Sequence, residues 1–465
     1  MEMMAGLKKK QRIKEFPNVI PVTEAICKGD VFTKLTCLIM GAGNFARGQI
    51  ISGLLFLAAE IGYICFMVFY GVNALGDLVT LGTEAQTKVF NEKTQVYEYV
   101  AGDNSQLCLL YGVIVIFVTI GFVLLWRAAV RSSYMGQLEK EKGRKPIGFG
   151  QIMKELKNNR MYQLLLFFPF MGLILFTIMP LFFMILMAFT NYDRDHLPPG
   201  QLFDWVGLEN FGRVLNAGGS LGITFWKVLG WTLIWAVFAT FLNYILGIIL
   251  ALIINREGTK IKGFWRFIFT LTIAVPQFVS LLVMNTMLQE HGVFNLMLEE
   301  LFGVGPLPFL TNATWARVTV VIINLWIGIP FTLVSVTGIL KNIPAELYEA
   351  AKVDGANAVV IFFKITMPYV MFVMTPQLIV TFTQNINNFN VIFLLTNGAP
   401  ATDAYYRGTA GKTDLLVTWL YKLTIDNKDY NLGAVIGILT FVLMATLSLM
   451  TYRHTGSYKN EEGFS

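Results

Sequence analysis

Amide and hydroxyl side chains crowd one short stretch of an otherwise apolar region. The stretch contains seven of them: Thr381, Thr383, Gln384, Asn385, Asn387, Asn388 and Asn390. Because asparagine both donates and accepts hydrogen bonds, such a cluster suits a neutral ligand with many hydroxyl groups, and the ring of Phe389 offers a face to the apolar side of a sugar. On one helix, Thr381, Asn385 and Asn388 would share a face. Asparagines also join membrane helices to one another, and the residue types alone leave both interpretations open.

Two other apolar stretches are interrupted by proline beside polar residues. One reads Asn324-Leu325-Trp326-Ile327-Gly328-Ile329-Pro330-Phe331, and the other reads Ala274-Val275-Pro276-Gln277. Proline removes a backbone hydrogen bond and glycine removes a side chain, so we expect the first stretch to kink and open. Breaks at a similar depth in three apolar stretches predict a polar cavity among them.

Other chemistries find little support in the sequence. His196, His291 and His454 are scattered, and the four cysteines show no metal-ligand spacing, so we expect free thiols and no metal site. The run Gly411-Lys412-Thr413 has the end of a phosphate-binding loop but lacks its leading glycine. We therefore expect no catalytic residue, no cofactor and no ATP hydrolysis by this chain.

Two further function classes can be weighed against a transport role. A membrane enzyme acting on lipid-linked sugars would need paired carboxylates or a metal motif near the interface, and none is evident. A secondary transporter would need acids or bases inside the membrane for ion coupling. Glu60 falls inside an apolar run, but it is weak support for that class. A hydrogen bond to another helix would equally explain a carboxyl group at this position.

Membrane helices are the elements that must position these residues. The chain has 465 residues, of which 55% are hydrophobic and 14% charged, and its mean hydropathy is +0.58. A helix needs about 20 apolar residues to span a bilayer. Eight runs qualify: 50–74, 107–130, 161–190, 227–254, 264–288, 316–340, 369–396 and 432–452. The predicted fold is an all-α membrane protein with eight transmembrane helices, the seventh being the least regular.

Lysine and arginine in the short connections predict the orientation. Residues 1–49 hold eight of them and residues 127–160 hold nine, whereas 289–315 hold none. Since such loops stay in the cytosol, both termini are predicted to be cytosolic. The net charge of +6 then reflects membrane topology, and we expect no nucleic-acid partner.

The basic segment before the third run divides the chain. The predicted parts are a basic cytosolic tail 1–49, two accessory helices with a short outer loop 50–130, a cytosolic linker 131–160, a six-helix core 161–452 and a cytosolic tail 453–465. The core contains a polar island, residues 345–368, between two membrane helices. Good helix formers at its start, Gly355 and Pro368 predict a helix, a sharp turn and a second short helix that ends at the proline.

This island resembles the EAA loop of ABC-importer permeases. The matching residues are Glu349-Ala350-Ala351, then Gly355 after three residues, and then Ile365-Thr366-Met367-Pro368. In that family the loop docks on the cytosolic ATPase subunit. The resemblance therefore implies coupling roles for Glu349, Ala350, Ala351, Asp354, Gly355 and Pro368.

From about residue 155 to the C-terminus, the chain is similar to the MalF-type family, the larger permease subunits of bacterial maltose and maltodextrin ABC importers. Four motifs carry this likeness: 324–328 (NLWIG), 385–389 (NINNF), 394–398 (LLTNG) and 413–417 (TDLLV). The resemblance implies a type I ABC importer core in helices three to eight. It also implies sugar contacts for Asn324, Ile327, Gly328, Phe331, Asn385 and Asn388, with Gln277 as a weaker candidate. Another oligosaccharide or glycoside would fit the same architecture.

The sequence departs from that family at three positions of the sugar site. Phe331 replaces a tyrosine, and Ile273 and Gln277 replace a tyrosine and a serine, so the hydrogen-bond pattern must differ. The implied partners are a smaller homologous permease, two ATP-binding subunits and an external sugar-binding protein. Gram-negative members carry a folded outer domain that contacts this binding protein. The short outer loop here implies a Gram-positive type, with a lipid-anchored binding protein and a place in the cytoplasmic membrane.

Overall fold

Long apolar helices make up most of the chain in the computed structural model, which describes residues 20–256 and 258–453. Seven of these helices are long and apolar enough to cross a membrane, and a bent helix pair raises the number to as many as eight. The predicted all-α membrane class is confirmed. Residues 1–19 of the basic N-terminal tail, residue 257 and the C-terminal tail from His454 onward lie outside the described residues.

Two compact units divide the chain, and the first comprises residues up to Leu186 together with Asp195–Trp205. Its elements in chain order are α1 Val22–Lys28, α2 Val31–Leu35, α3 Ala42–Phe45, α4 Ile50–Thr80, β1 Thr87–Asn91, β2 Val96–Val100, α5 Ser105–Glu141, α6 Phe149–Lys157 and α7 Met161–Met187. The third apolar helix, α7, thus falls almost wholly in this unit. The domain boundaries given above stay predictions.

The loop between α4 and α5 contains an antiparallel hairpin that the sequence analysis did not foresee. Strand β1 pairs with β2 in register from Thr87 opposite Val100 to Asn91 opposite Val96. The strands alternate residue types only briefly, and both faces are exposed, so the usual signal of a buried apolar face is missing.

Glu60 accepts a hydrogen bond from a neighbouring backbone group of the first unit. Its Oε2 atom lies 2.8 Å from the backbone nitrogen of Met40, a residue with no exposed surface. A carboxylate in an apolar setting is costly unless it has such a partner. The contact supports the structural explanation of Glu60 and offers no ion-coupling partner.

The second unit comprises Met187–Arg194 and residues from Val206 onward. Its helices are α8 Glu209–Leu215, α9 Ser220–Asn255, α10 Lys262–Ala274, α11 Gln277–Met287, α12 Val293–Phe302, α13 Ala313–Asn342, α14 Ala345–Val353, α15 Ala358–Ile386, α16 Phe389–Leu395, α17 Leu416–Tyr421 and α18 Tyr430–Arg453. Helices α10 and α11 meet at an 88° bend, which is the break predicted at Val275-Pro276.

Helix α9 forms the centre of the second unit, because it packs along both α13 and α15. Trp235 and Ala239 have no exposed surface, and they belong to an apolar cluster with Val320 of α13. A second cluster joins Tyr244, Leu333 and Met374. Burial of this apolar surface among the three helices fixes the walls of the cavity described below.

Pro368 does not end a helix, which corrects the expected short second helix after the Gly355 turn. Residues Ala358–Ile386 form one continuous helix, with a π-turn at Phe362–Thr366 directly before Met367 and Pro368. Helix α7 repeats this arrangement, with a π-turn at Ile174–Ile178 before Met179 and Pro180. The widened turn accommodates a residue that lacks an N–H group, so the helix continues.

Candidate functional site

A cavity of about 660 Å³ lies within the second unit, between α9, α11, α13, α15 and α16. All seven residues predicted to contact sugar line it: Gln277, Asn324, Ile327, Gly328, Phe331, Asn385 and Asn388. Folding thus brings together the three interrupted stretches among which the sequence predicted a polar cavity. Their role in binding stays a prediction.

Helix α13 presents a polar and aromatic stripe to the cavity. Asn324, Ile327, Phe331 and Ser335 recur at three- and four-residue spacing, which places them on one helical face. The Asn324 side chain is only 5% exposed, yet it makes no hydrogen bond within the described residues. Its amide faces the open space of the cavity, where it is free to exchange hydrogen bonds with a ligand.

Pro330 lies inside α13 without interrupting it, so the opening expected at this point is absent. The helix runs unbroken from Ala313 to Asn342, and Pro330 itself is buried. Among the described residues, helices beside the cavity break instead at the bend before Gln277 and between Ile386 and Phe389. Gln277 follows that bend as the first residue of α11, where its side chain reaches the cavity wall.

Gly328 provides space for an asparagine of the neighbouring helix. A Cβ atom built on Gly328 would lie 2.5 Å from Nδ2 and 2.6 Å from Oδ1 of Asn243, distances that no side chain tolerates. Asn243 donates to the carbonyl of Ala239 at 2.6 Å, and its buried Oδ1 has no hydrogen-bond partner in the described part of the chain. The glycine in the predicted motif is therefore explained by packing against α9.

The opposite wall holds asparagines that are already bonded to the protein. Asn385 donates from Nδ2 to Thr240 Oγ1 at 2.9 Å and accepts at Oδ1 from Asn388 Nδ2 at 3.3 Å. Its backbone carbonyl accepts from Trp235 Nε1 at 3.0 Å. Asn385 is buried, so these bonds tie α15 to α9 and support the interpretation of the amides as links between helices.

Asn388 does not share a helix with Thr381 and Asn385, which corrects the predicted common face. Helix α15 ends at Ile386, and Asn388 is the N-cap of α16, where its Oδ1 accepts from the backbone N–H of Val391. Asparagine favours this position because it satisfies an otherwise free N–H of the first turn. All three residues still line the cavity.

Several lining residues were missed by the sequence analysis. They are Asn243, Tyr244, Thr332, Ser335, Met374 and Gln377. Asn243 is a lone amide in the apolar run 227–254, and Gln377 follows Pro376 in the run 369–396, so each carried a weak signal. Ile273 does not line the cavity, although its position drew attention as a departure from the family pattern.

The lining of the cavity is polar and aromatic but uncharged. Its lining combines amides, hydroxyls and the aromatic residues Tyr244, Phe331 and Phe389, and none of the described lining residues is charged. Such a lining can exchange hydrogen bonds with a neutral polar ligand and can pack against its apolar face. It offers neither a metal-binding set nor a general acid or base.

The Gly355 turn is the second site that the sequence predicted. Helix α14 ends in a Schellman motif, in which Ala356 N–H donates to Ala351 O at 2.9 Å and Gly355 N–H donates to Lys352 O at 3.1 Å. Gly355 has a φ of +77°, a conformation that residues with a Cβ resist. Tyr348 and Thr366 share a hydrogen bond of 3.1 Å, which joins α14 to α15 across the turn.

Exposed residues surround this turn. Glu349, Ala350, Asp354 and Gly355 are exposed, and Ala351 is half-buried. Val353, at the tip, is 86% exposed. Pro368 is also exposed but lies on α15 beyond the π-turn. A rigid turn with an uncovered apolar residue at its tip has the features of a surface that inserts into a partner.

Comparison with known proteins identifies the architecture. Residues 243–455 match the family described as "Binding-protein-dependent transport system inner membrane component". The galactooligosaccharides transport system permease protein GanP of Bacillus subtilis is 35% identical over 431 residues, covering 92% of this chain and 98% of that protein. The maltodextrin transport system permease protein MdxF of the same organism is 33% identical over 440 residues, covering 92% and 96%.

Two further relatives match a smaller part. The maltose/maltodextrin transport system permease protein MalF of Escherichia coli is 36% identical over 279 residues, covering 59% of this chain and 53% of that protein. A bacterial ABC transporter involved in import of the acidic polysaccharide alginate shares the fold, with a TM-score of 0.52 and 22% identity over 65% of this chain and 97% of that chain. The chain belongs to the family of binding-protein-dependent inner-membrane transport components, the permease subunits of ABC importers.

Proposed function

We propose that this chain conducts a neutral oligosaccharide through the membrane as one of two permease subunits of an ABC importer. The cavity in the second unit carries this proposal, because about 660 Å³ of space is lined by amides, hydroxyls and aromatic rings without a charged residue. Volumes of this order suit small organic ligands. An acidic saccharide would find no compensating cation among the described lining residues, so the expected substrate differs from the alginate of the structural neighbour.

Maltose and maltodextrins are the first candidates for the substrate. The motifs shared with the MalF-type family support them, as does the similarity to the maltodextrin permease MdxF and the maltose/maltodextrin permease MalF. Galactooligosaccharides are the second candidate, because GanP is similar over nearly its whole length. Both classes are neutral and rich in hydroxyl groups, so the lining does not discriminate between them by charge.

Uptake by cells with and without this chain tests the proposal. Labelled maltose, maltotriose and a β-galactobiose would be supplied separately, with the other sugars as competitors. Loss of maltose and maltotriose uptake on deletion, with competition by α-glucosides only, would support the first candidate. Loss of galactobiose uptake alone would support the second. Unchanged uptake of every neutral oligosaccharide would overturn the proposal.

The expected partners are a smaller homologous permease, two ATP-binding subunits and an external sugar-binding protein. The family description names a binding protein, which supports the last of these. ATP is then hydrolysed by separate subunits, and closure of these subunits is transmitted through the Gly355 turn. Coupling requires the turn to bind the two states of the ATPase with different affinity, because equal affinity would shift no equilibrium.

Two glycines make a matched test of this coupling role. Gly355 and Gly303 both follow a helix with positive φ, and a Cβ on either would meet no atom within 4 Å. Replacing either with valine imposes a strain of about 1–2 kcal/mol. We expect Gly355→Val to reduce both co-purification of the ATPase and sugar uptake by more than tenfold. Gly303→Val should leave both within about twofold. Equal losses in the two variants would contradict the docking role.

The proposed location is the cytoplasmic membrane, with both termini and the Gly355 turn on the cytosolic side. Seven or eight membrane-crossing helices and the family description support a multi-pass membrane protein. The short hairpin between α4 and α5 leaves no room for a folded outer domain at that place. A Gram-positive cell type with a lipid-anchored binding protein agrees with the Bacillus relatives.

A further inference from the structure

Three aromatic side chains stand together at one end of the amide cavity. Phe389 and Phe393 are stacked, with ring centroids 4.7 Å apart and planes inclined by 22°. Tyr421 meets both rings edge to face, at 5.2 Å from each centroid. Of the three, only Phe389 borders the cavity. The other two rings therefore support Phe389 from positions outside the cavity lining.

Hydrogen bonds fix the two short helices that carry these rings. Lys422, which follows α17 directly, donates to Asp414 Oδ2 at 2.7 Å and to the carbonyl of Asn397, just beyond α16, at 2.8 Å. Buried Asp414 also accepts from Thr418 Oγ1 at 2.8 Å. These bonds connect α17 to the end of α16, so the position of Tyr421 relative to Phe389 is set by buried charge-assisted contacts.

Phe331 is the contrasting aromatic residue of the cavity. Its side chain is 54% exposed and makes no ring contact within the described residues. On α13 it lies nearer to the Gly355 turn than Asn324 by about 10 Å, at about 1.5 Å per residue. Phe389 lies beyond the opposite end of α15, past Ile386. Leu333, near Phe331, packs in one apolar cluster of the unit, and Val391, near Phe389, packs in the other. The two rings thus border the cavity at different depths.

We propose that Phe389 is a second sugar-stacking surface, held in place by Phe393 and Tyr421, and that it sets the preference of the importer for longer oligosaccharides. A sugar ring packs its apolar face against an aromatic side chain, and a ring that is already immobile loses little entropy on binding. One sugar unit then lies on Phe331 and a later unit of the same chain lies on Phe389. This inference rests on the proposed oligosaccharide substrate.

The test compares the length preference of variants in the intact importer. For whichever oligosaccharide series the wild type transports, kcat/KM for uptake is measured from the disaccharide to the heptasaccharide. Phe389→Leu should lower kcat/KM for the longest members about tenfold relative to the disaccharide. Phe331→Leu should lower it for all lengths alike. Phe441→Leu is the control, since Phe441 is exposed and lies outside the cavity lining.

Two further variants separate sugar stacking from folding. Phe389→Tyr keeps an aromatic face and should keep the wild-type length preference. Tyr421→Leu removes the support without touching the cavity, so it should shift the preference in the same direction by a smaller factor. If Phe389→Leu lowers kcat/KM equally at all lengths, the inference is overturned while the proposed function stands. If the wild type transports no neutral oligosaccharide, the proposed function itself fails.

Discussion

In the amide cavity, Asn385 and Asn388 are bonded to the protein itself, whereas Asn324 on α13 is not. Asn385 has partners at both ends of its amide, and Asn388 caps a helix. Across the cavity, Asn324 is as buried as Asn385 but makes no hydrogen bond within the described residues. One residue type therefore has two uses, and neither burial nor position in a motif distinguishes them.

The difference between bonded and unbonded amides separates the residues that hold the cavity in shape from those that can bind a ligand. In a wall that must keep its shape, the polar groups are hydrogen-bonded within the protein before a ligand binds. Such groups have few free donors or acceptors, so they add little to the affinity for the ligand. A wall with free groups is the one that gains from a ligand. We therefore expect replacement of the bonded amides of Asn385 and Asn388 to lower stability more than transport, and replacement of the amide of Asn324 to lower transport more than stability.

Gly328→Ala should have the largest effect on stability, although it adds only a methyl group. The new Cβ would overlap with the amide of Asn243, and such overpacking costs about 1–3 kcal/mol. Thermal unfolding of the purified importer would measure the loss. Asn243→Ala in the same chain should restore most of the lost stability, because it removes the amide with which the new methyl group would overlap. Failure of the second substitution to restore stability would show that Gly328 is required for another reason.

Asn385→Ala should follow, with a loss of about 1–2 kcal/mol, since it deprives Thr240 and Asn388 of their partner inside the membrane region. The expected outcome is a lower melting temperature and a smaller amount of assembled importer, with kcat/KM per assembled complex falling less than twofold. A stable, fully assembled variant that transports more than tenfold more slowly would place Asn385 with the ligand-binding residues instead.

Asn388→Ala should cost about 1 kcal/mol of stability, because the first turn of α16 loses its cap. Asn388→Ser provides the control, since serine caps helices well but lacks the amide. If the cap is the main role, the serine variant should keep the stability of the wild type and the alanine variant should not. Equal melting temperatures for the two variants would exclude a capping role.

The sequence predicted the membrane class, the Gly355 turn and a polar cavity among three interrupted apolar stretches, because apolar run length, glycine and proline are local signals. It did not predict which amides are free. Whether Asn324 or Asn385 has a partner depends on residues of α9, such as Thr240, that lie more than 80 positions away in the chain. The packing of Asn243 against Gly328 could not be predicted either, because the two residues are also more than 80 positions apart in the chain.

Predictions from local sequence signals also failed at two prolines and at one hairpin. Pro330 and Pro368 each predicted a break or an end, yet both lie within continuous helices. At Pro368 a π-turn just before the proline accommodates it, and no residue pattern in the stretch announced that turn. The hairpin between α4 and α5 went unnoticed because it buries neither face.

Asn324→Ala should change stability least, by less than about 0.5 kcal/mol, because no other described group loses a hydrogen bond when this side chain is removed. Its effect should appear in transport instead, as a fall in kcat/KM of about tenfold, the cost of one hydrogen bond to a neutral sugar. Uptake and melting temperature measured on the same preparations would separate the two. A large loss of stability with unchanged kcat/KM would reverse the assignment of the two walls. An unchanged melting temperature with slow uptake would mean that the unbonded amide of α13 contacts the substrate.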